Sequence, residues 1–166
     1  MRKLGTLVGL AVITACGGGE KKADTSAAAA PPAAGATSAA PGAGAAAGTA
    51  MAATGATHEV KMVMDAQGQY KFDPANITVK RGDAIKFTTV SGQPHNVSFW
   101  PDSIPAGAAT QLGANMSNTT APLTGPLLNN PGESYTVSFA GVPAGVYKMY
   151  CTPHLALGMK GAVTVQ

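Results

Sequence analysis

The chain is poor in charge, in aromatic rings, in histidine and in cysteine. Of its 166 residues 11% are charged and 5% aromatic, with three histidines and two cysteines. Two cysteines exclude a disulfide-knit scaffold. No apolar run is long enough to span a bilayer as a mature helix. The charge balance gives a polyanion nothing to bind. Eleven basic residues stand against eight acidic ones, and removal of residues 1–15 would take Arg2 and Lys3 and leave 9 against 8. No basic stripe then remains for nucleic acid. The scarce aromatic residues are also unevenly placed. Residues 17–57 contain none, whereas 58–166 hold all nine and all three histidines. Only the second part can bury a core, and it is long enough to do so.

The N-terminus begins with Arg2 and Lys3 and continues as an apolar run from Leu4 to Ala15. This is the pattern of a secretory signal peptide. Its end, Ile13-Thr14-Ala15-Cys16, resembles a bacterial lipobox, in which the cysteine is acylated and becomes the new N-terminus. The expected mature protein is therefore a lipoprotein held by Cys16 to a membrane, in the periplasm or at the cell surface. Residues 16–57 then comprise the lipidated Cys16 and a linker rich in Ala, Gly, Thr and Pro. Pro and Gly interrupt every alanine run before a helix could propagate. The segment buries too little to offset its ordering entropy and reads as a flexible spacer. As a coil, its 41 residues from 17 to 57 span roughly 35 Å root-mean-square. If Cys16 carries lipid, Cys151 is the one thiol left, with no disulfide partner.

Residues 58–166 form the head, written in short alternating runs divided by turn residues. The runs are Val60/Met62/Met64, Ile77/Val79, Ile85/Phe87/Thr89, His95/Val97/Phe99, Tyr135/Val137/Phe139, Tyr147/Met149/Cys151 and Gly161/Val163/Val165. Period-2 alternation with Gly/Pro punctuation predicts strands with one buried face. Seven to eight such strands predict an all-β fold, a Greek-key β-sandwich. Residues 101–131 show no clear period and are left as a long excursion that could hold a short helix.

Alternation places His95 with Val97 and Phe99, and Cys151 with Tyr147 and Met149, so an imidazole and a thiol both point inward. Burying them side by side needs a reason. The string Cys151-Thr-Pro-His154-Leu-Ala-Leu-Gly-Met159 supplies one. His follows Cys by three residues and Met follows His by five, and His95 adds a distant fourth donor. Two imidazoles and a thiolate with a weak axial thioether describe a blue-copper electron-transfer site. Taken singly, each residue reads as core filler or surface; together their spacing points to metal: His95, Cys151, His154 and Met159 around one copper ion cycling between Cu(I) and Cu(II). Zinc also binds Cys/His sets, but structural zinc sites seldom use Met. His58 reads as solvated.

The head resembles a plastocyanin-type cupredoxin. The matching strings are Phe72 to Asp83, Pro94 to Phe99, Ile104 to Gly107, Asn130 to Tyr135, and Gly145 through His154 to Gly161. The resemblance implies a cupredoxin-like sandwich, the four copper ligands just named, and a bracing role for Asn96. It implies a one-electron carrier, not an enzyme, working between redox partners such as a c-type cytochrome, a membrane oxidoreductase or a terminal oxidase, as a monomer. Copper storage or delivery with the same ligands is the alternative. The ring edge of His154, among Pro94, Leu155, Leu157 and Gly158, is the expected electron port. Tyr150 resembles a second surface route. Where plant plastocyanins are acidic after Phe99, this chain has Trp100-Pro101 followed by Ala, Asn and Thr residues.

Overall fold

The computed structural model describes residues 48–166. The signal peptide, Cys16 and the linker up to residue 47 lie outside the described residues. Eight strands form two four-stranded sheets. The first holds β1 (Thr57–Met64), β2 (Tyr70–Asp73), β4 (Ala84–Thr89) and β6 (Ser134–Ser138), in the order β2-β1-β4-β6. The second holds β3 (Asn76–Val79), β5 (Ser98–Phe99), β7 (Gly145–Tyr150) and β8 (Lys160–Val165), in the order β3-β8-β7-β5. β1 runs parallel to β4 and β3 parallel to β8, while the other pairs are antiparallel.

The alternation in sequence becomes the inner faces of the two sheets. Val60, Met62, Ile85, Phe87 and Val137 of one sheet meet Tyr147, Met149, Val163 and Val165 of the other, all buried. Phe72 and Phe87 pack edge to face, as do Phe99 and Phe139. Each such side chain contributes about 1.5–3 kcal/mol over its exposed state. β2 belongs to no alternating run in the sequence. Its four residues are placed by a turn in which the Asp65 carboxylate accepts the N–H groups of Gln67 and Gln69.

Two readings need adjusting. The run from His95 to Phe99 is a strand only at Ser98–Phe99, with an isolated bridge from His95 to Leu128 before it. Asn96 and Ser98, which alternate with the inward-facing residues, are buried too, and Thr152 hydrogen-bonds to both. The excursion contains α1 (Ala108–Asn115), which buries Ala108 and Leu112. Asn115 at its end donates to the carbonyls of Ser138 and Ala140 and so clamps the helix to the end of β6.

The sandwich has two distinct ends. β1 and β4 enter together at Thr57 and Ala84 and leave together at Met62 and Thr89. Residues 48–56 are tied to the entry end. Gln111 donates to the Thr49 carbonyl, Met51 N–H to Asn115 Oδ1, and the N–H groups of Thr54 and Gly55 to the Gly82 carbonyl. Residues 48–56, which composition assigns to the spacer, thus run against the domain.

Candidate metal centre

The exit end of β4 carries the site. His95 lies four residues beyond Ser91, and its Nε2–H donates to the Ser91 carbonyl at 2.8 Å. That bond fixes the ring and leaves the Nδ1 lone pair free. Paired backbone bonds with Leu128 (3.0 and 2.8 Å) hold the His95 main chain.

The other donors come from the loop between β7 and β8, which is closed by a ring of backbone bonds. His154 N–H donates to the Cys151 carbonyl (3.2 Å), Cys151 N–H to the Met159 carbonyl (3.1 Å), and Met159 N–H to the His154 carbonyl (3.1 Å). Between them Leu155–Leu157 makes one 3-10 turn, and Gly158, at φ 86°, reverses the chain so that Met159 can return. Glycine is suited there because a side chain is strained at that φ.

The side chains converge. His95, Cys151 and His154 are all buried, and one donor atom from each lies within 4.8 Å of the others. Cys151 Sγ is 3.6 Å from His95 Nδ1 and 3.5 Å from His154 Nδ1. Met159, in the same loop as Cys151 and His154, is fully buried. Burial pushes the Cys151 thiol up from its ordinary range, against backbone hydrogen bonds from Asn96 and His154. Burial also lowers both histidines, with the Ser91 bond opposing it at His95 and the charge of His95 adding to it at His154. Two imidazoles and a sulfur face one another as Lewis bases, with Asn96 N–H as a further partner of the sulfur. A cation that replaces the thiol proton satisfies all three at once.

A family model described as copper binding proteins of the plastocyanin/azurin family matches residues 47–166. The chain belongs to this family. A chloroplastic plastocyanin of Tetradesmus obliquus is 38% identical over 122 residues, covering 74% of this chain and 76% of its own. A plastocyanin of Scenedesmus fuscus is 38% identical over 107 residues, covering 64% of this chain and 97% of its own. Among solved structures, oxidized plastocyanin of Dryopteris crassirhizoma is 35% identical with a TM-score of 0.47, covering 66% of this chain and all of its own.

As a plastocyanin-type blue copper protein, the chain is a type 1 copper electron carrier that takes one copper ion. The donor set fits that ion: soft sulfur and borderline imidazole, closely grouped and already oriented by the fold. Asn96 braces the loop as expected. Its Oδ1 accepts Thr152 N–H at 2.8 Å, its Nδ2 donates to Thr152 Oγ1 at 3.2 Å, and its own N–H points at Cys151 Sγ at 3.5 Å. It thereby couples the His95 segment to the Cys151 loop and offers a donor to the sulfur.

Other expectations change in detail. His58 is not simply solvated: its Nε2–H donates to Asp83 Oδ2 at 2.8 Å and its side chain is one-third exposed. His154 is only 7% exposed, because Tyr70 stacks flat on its ring, with centroids 3.8 Å apart and planes 15° apart. The His154 ring edge expected as the port is thus largely covered by Tyr70, while in the same loop Leu157 is 61% exposed and Leu155 half-buried. Tyr70 was invisible to motif reasoning, since it precedes Cys151 by 81 positions and lies outside every alternating run. Tyr150 is half-buried and stacked on Trp100 rather than standing alone.

Proposed function

We propose that the protein shuttles single electrons between redox partners outside the cytoplasm, held near a membrane by lipid on Cys16. We assign the copper to His95, Cys151, His154 and Met159. The observation that carries this reading is the convergence of one sulfur and two Nδ1 atoms at the end of the sandwich. Copper bound there would supply a one-electron Cu(I)/Cu(II) couple.

The chain's own residues do the rest. Ser91 and Leu128 fix His95, Asn96 fixes the Cys151 loop, and Tyr70 restrains the His154 ring, so the donors need move little when the charge changes. Leu157 and Pro94 give the port an exposed apolar rim, suited to brief contact with a partner that must then leave. The head's weak net charge predicts shallow salt dependence at this rim. All three histidines are accounted for, two at the site and one on Asp83, which leaves none for a second copper centre and supports a carrier rather than an enzyme. Among the described residues no helix is long and apolar enough to cross a membrane.

The test is to add Cu(II) to the purified protein and record visible spectra and voltammograms. An intense blue or green band that disappears in Cys151→Ser, with a reversible one-electron wave, is the expected result. Copper uptake without a reversible wave would favour storage or delivery instead. Mass spectrometry of the membrane fraction tests the tether, which predicts an acylated Cys16 at the N-terminus.

A further inference from the structure

The segment 48–56 follows a definite course over the domain, and that course points beyond its first residue. Followed backward along the chain, its contacts move round the outside of α1. Met51 N–H donates to Asn115 Oδ1, and Gln111 donates to the Thr49 carbonyl. Gly48 then lies against the next turn of surface. A Cβ on it would stand 3.0 Å from the Thr110 carbonyl oxygen and 3.2 Å from the Ala114 Cβ. Residues 111 and 115 form one stripe of the helix, and 110 and 114 form the next, about 100° round. The stripe after that is 109 and 113. It borders a shallow hollow of about 310 Å³ lined by Pro101, Ala109, Thr110, Gly113, Pro122 and Leu123. None of these residues is charged, and Thr110 belongs both to the hollow and to the contact with Gly48. The described residues thus begin one stripe short of an apolar groove, on a path that leads into it.

We propose that this groove is filled by the chain's own residues 42–47, Gly-Ala-Gly-Ala-Ala-Ala, laid across α1 as an extension of the segment 48–56. The reach is sufficient. Six extended residues span up to about 20 Å, whereas the eight residues of α1 measure about 12 Å. The chemistry also matches, since the six residues carry no charge and no polar side chain. Their size matches as well. Alternate residues of an extended chain share a face, so Gly42, Gly44 and Ala46 share the face that Gly48 turns to the helix. Residues that small let the two backbones approach as closely as they already do at Gly48. Any outside partner would compete with a covalently attached segment whose effective concentration is roughly millimolar. The family match begins at residue 47, so the contact is an addition of this chain. It carries the edge of the domain from residue 58, where alternation places it, back to Gly42, and it depends on neither the copper nor the lipid.

The test uses the full chain carrying Cys16→Ser, loaded with copper and freed of excess metal, so that the remaining thiol is the buried Cys151. Adding Ala109→Cys places one reactive thiol in the groove, beyond the first described contact of the segment. Its rate of labelling by a maleimide reads whether the groove is covered. Deleting residues 42–47 should speed labelling about tenfold, the ratio for a segment seated about nine-tenths of the time. Deleting residues 33–38, equal in length, should leave the rate unchanged. Ala46→Glu puts a charge on the helix-facing side and should act like the first deletion. Ala45→Glu, one residue away on the opposite face, should not. The visible copper band shows that each variant is folded and loaded. Fast labelling of the parent that the deletion does not alter leaves the groove open and overturns the proposal. Slow labelling that neither the deletion nor Ala46→Glu relieves means that the domain closes the groove itself, and overturns it too. Slow labelling relieved by dilution assigns the groove to a second copy of the chain instead, and equal acceleration by the two glutamates removes the seating by Gly42, Gly44 and Ala46; either result also overturns it.

Discussion

The two ends of the sandwich both bury polar groups, and they resolve the problem in opposite ways. At the entry end Asp83 is largely buried, and its carboxylate is matched donor for acceptor. Ala56 N–H reaches Oδ1 at 2.9 Å, while Lys80 N–H (2.9 Å) and His58 Nε2–H (2.8 Å) reach Oδ2. Gly55 lies so close that a Cβ there would collide with Asp83 Oδ1. That end is complete by itself. At the exit end the fold goes to equal trouble to orient its side chains, through Ser91, Leu128, Asn96 and Tyr70, yet aims three lone-pair donors at one another. Three potential metal donors grouped so closely in a buried site form the kind of set that a cation binds by displacing the thiol proton. The contrast separates a polar cluster that serves the fold from one that serves a ligand.

Copper should sharpen this contrast most. At a concentration a thousandfold above its dissociation constant, a ligand that binds only the folded state adds about 4 kcal/mol, or on the order of 15 °C in Tm for a domain of this size. The increment should be the same in Asp83→Asn. The six residues of β4 put the two ends about 20 Å apart, and changes so distant add independently. Calorimetry with and without copper measures this. An increment that shrinks in Asp83→Asn would mean the two ends are not independent.

Asn96 ranks next. Asn96→Ala leaves Thr152 N–H without its partner and Thr152 Oγ1 with Ser98 alone, and it releases the Asn96 bonds between the His95 segment and the Cys151 loop. The expected loss is about 1–3 kcal/mol in stability and about 10–100-fold in copper affinity. Chemical unfolding and competitive copper titration read the two separately. Stability lost with affinity intact would make Asn96 a fold residue only, and place it with Asp83 in kind.

Much of this could be read from the chain, but unequally at the two ends. His95, Cys151 and His154 were legible because metal chemistry demands particular residue types, and Cys-x-x-His followed by Met is a local pattern. The core strands were legible because Val60/Met62, Ile85/Phe87 and Tyr147/Met149 alternate. Asp83 was not, because Arg81-Gly82-Asp83 looks like any surface turn, and no local spacing announces that His58, 25 residues earlier, will cover it. Tyr70 was hidden for the same reason, since its stack on His154 exists only once β2 is folded against β1. The helix was half legible: Ala108, Leu112 and Met116 recur every four residues and are all buried, but the small and polar residues between them blur the period.

The Asp83 cluster should reveal itself through pH. The hydrogen bond from His58, then that from Lys80 N–H, holds its carboxyl below the ordinary 3.8. A depressed folded-state pKa stabilises above the unfolded value and is lost as pH falls through the folded one. Asp83→Asn should therefore lower Tm at pH 6–7, and the gap to the parent should close only below pH 3.8. A gap constant down to pH 2 would mean that shape, not charge, is what Asp83 contributes.

The smallest effect lies at the boundary between the two regimes. Thr89, the last residue of β4, faces inward, and its Oγ1 is the one buried side-chain polar atom among the described residues that has no partner. It sits two residues before Ser91, whose carbonyl holds His95. An unpaired hydroxyl is destabilising in proportion to its lost hydration, whereas an apolar group of the same shape loses nothing there. Thr89→Val should accordingly raise stability by up to about 1 kcal/mol, seen as a higher urea midpoint with an unchanged m-value. The gain should be equal with and without copper, because this hydroxyl bonds to none of the metal donors. A loss instead of a gain would mean that this hydroxyl is hydrogen-bonded through water. The exit end would then, like the Asp83 end, leave no buried side-chain oxygen or nitrogen without a partner.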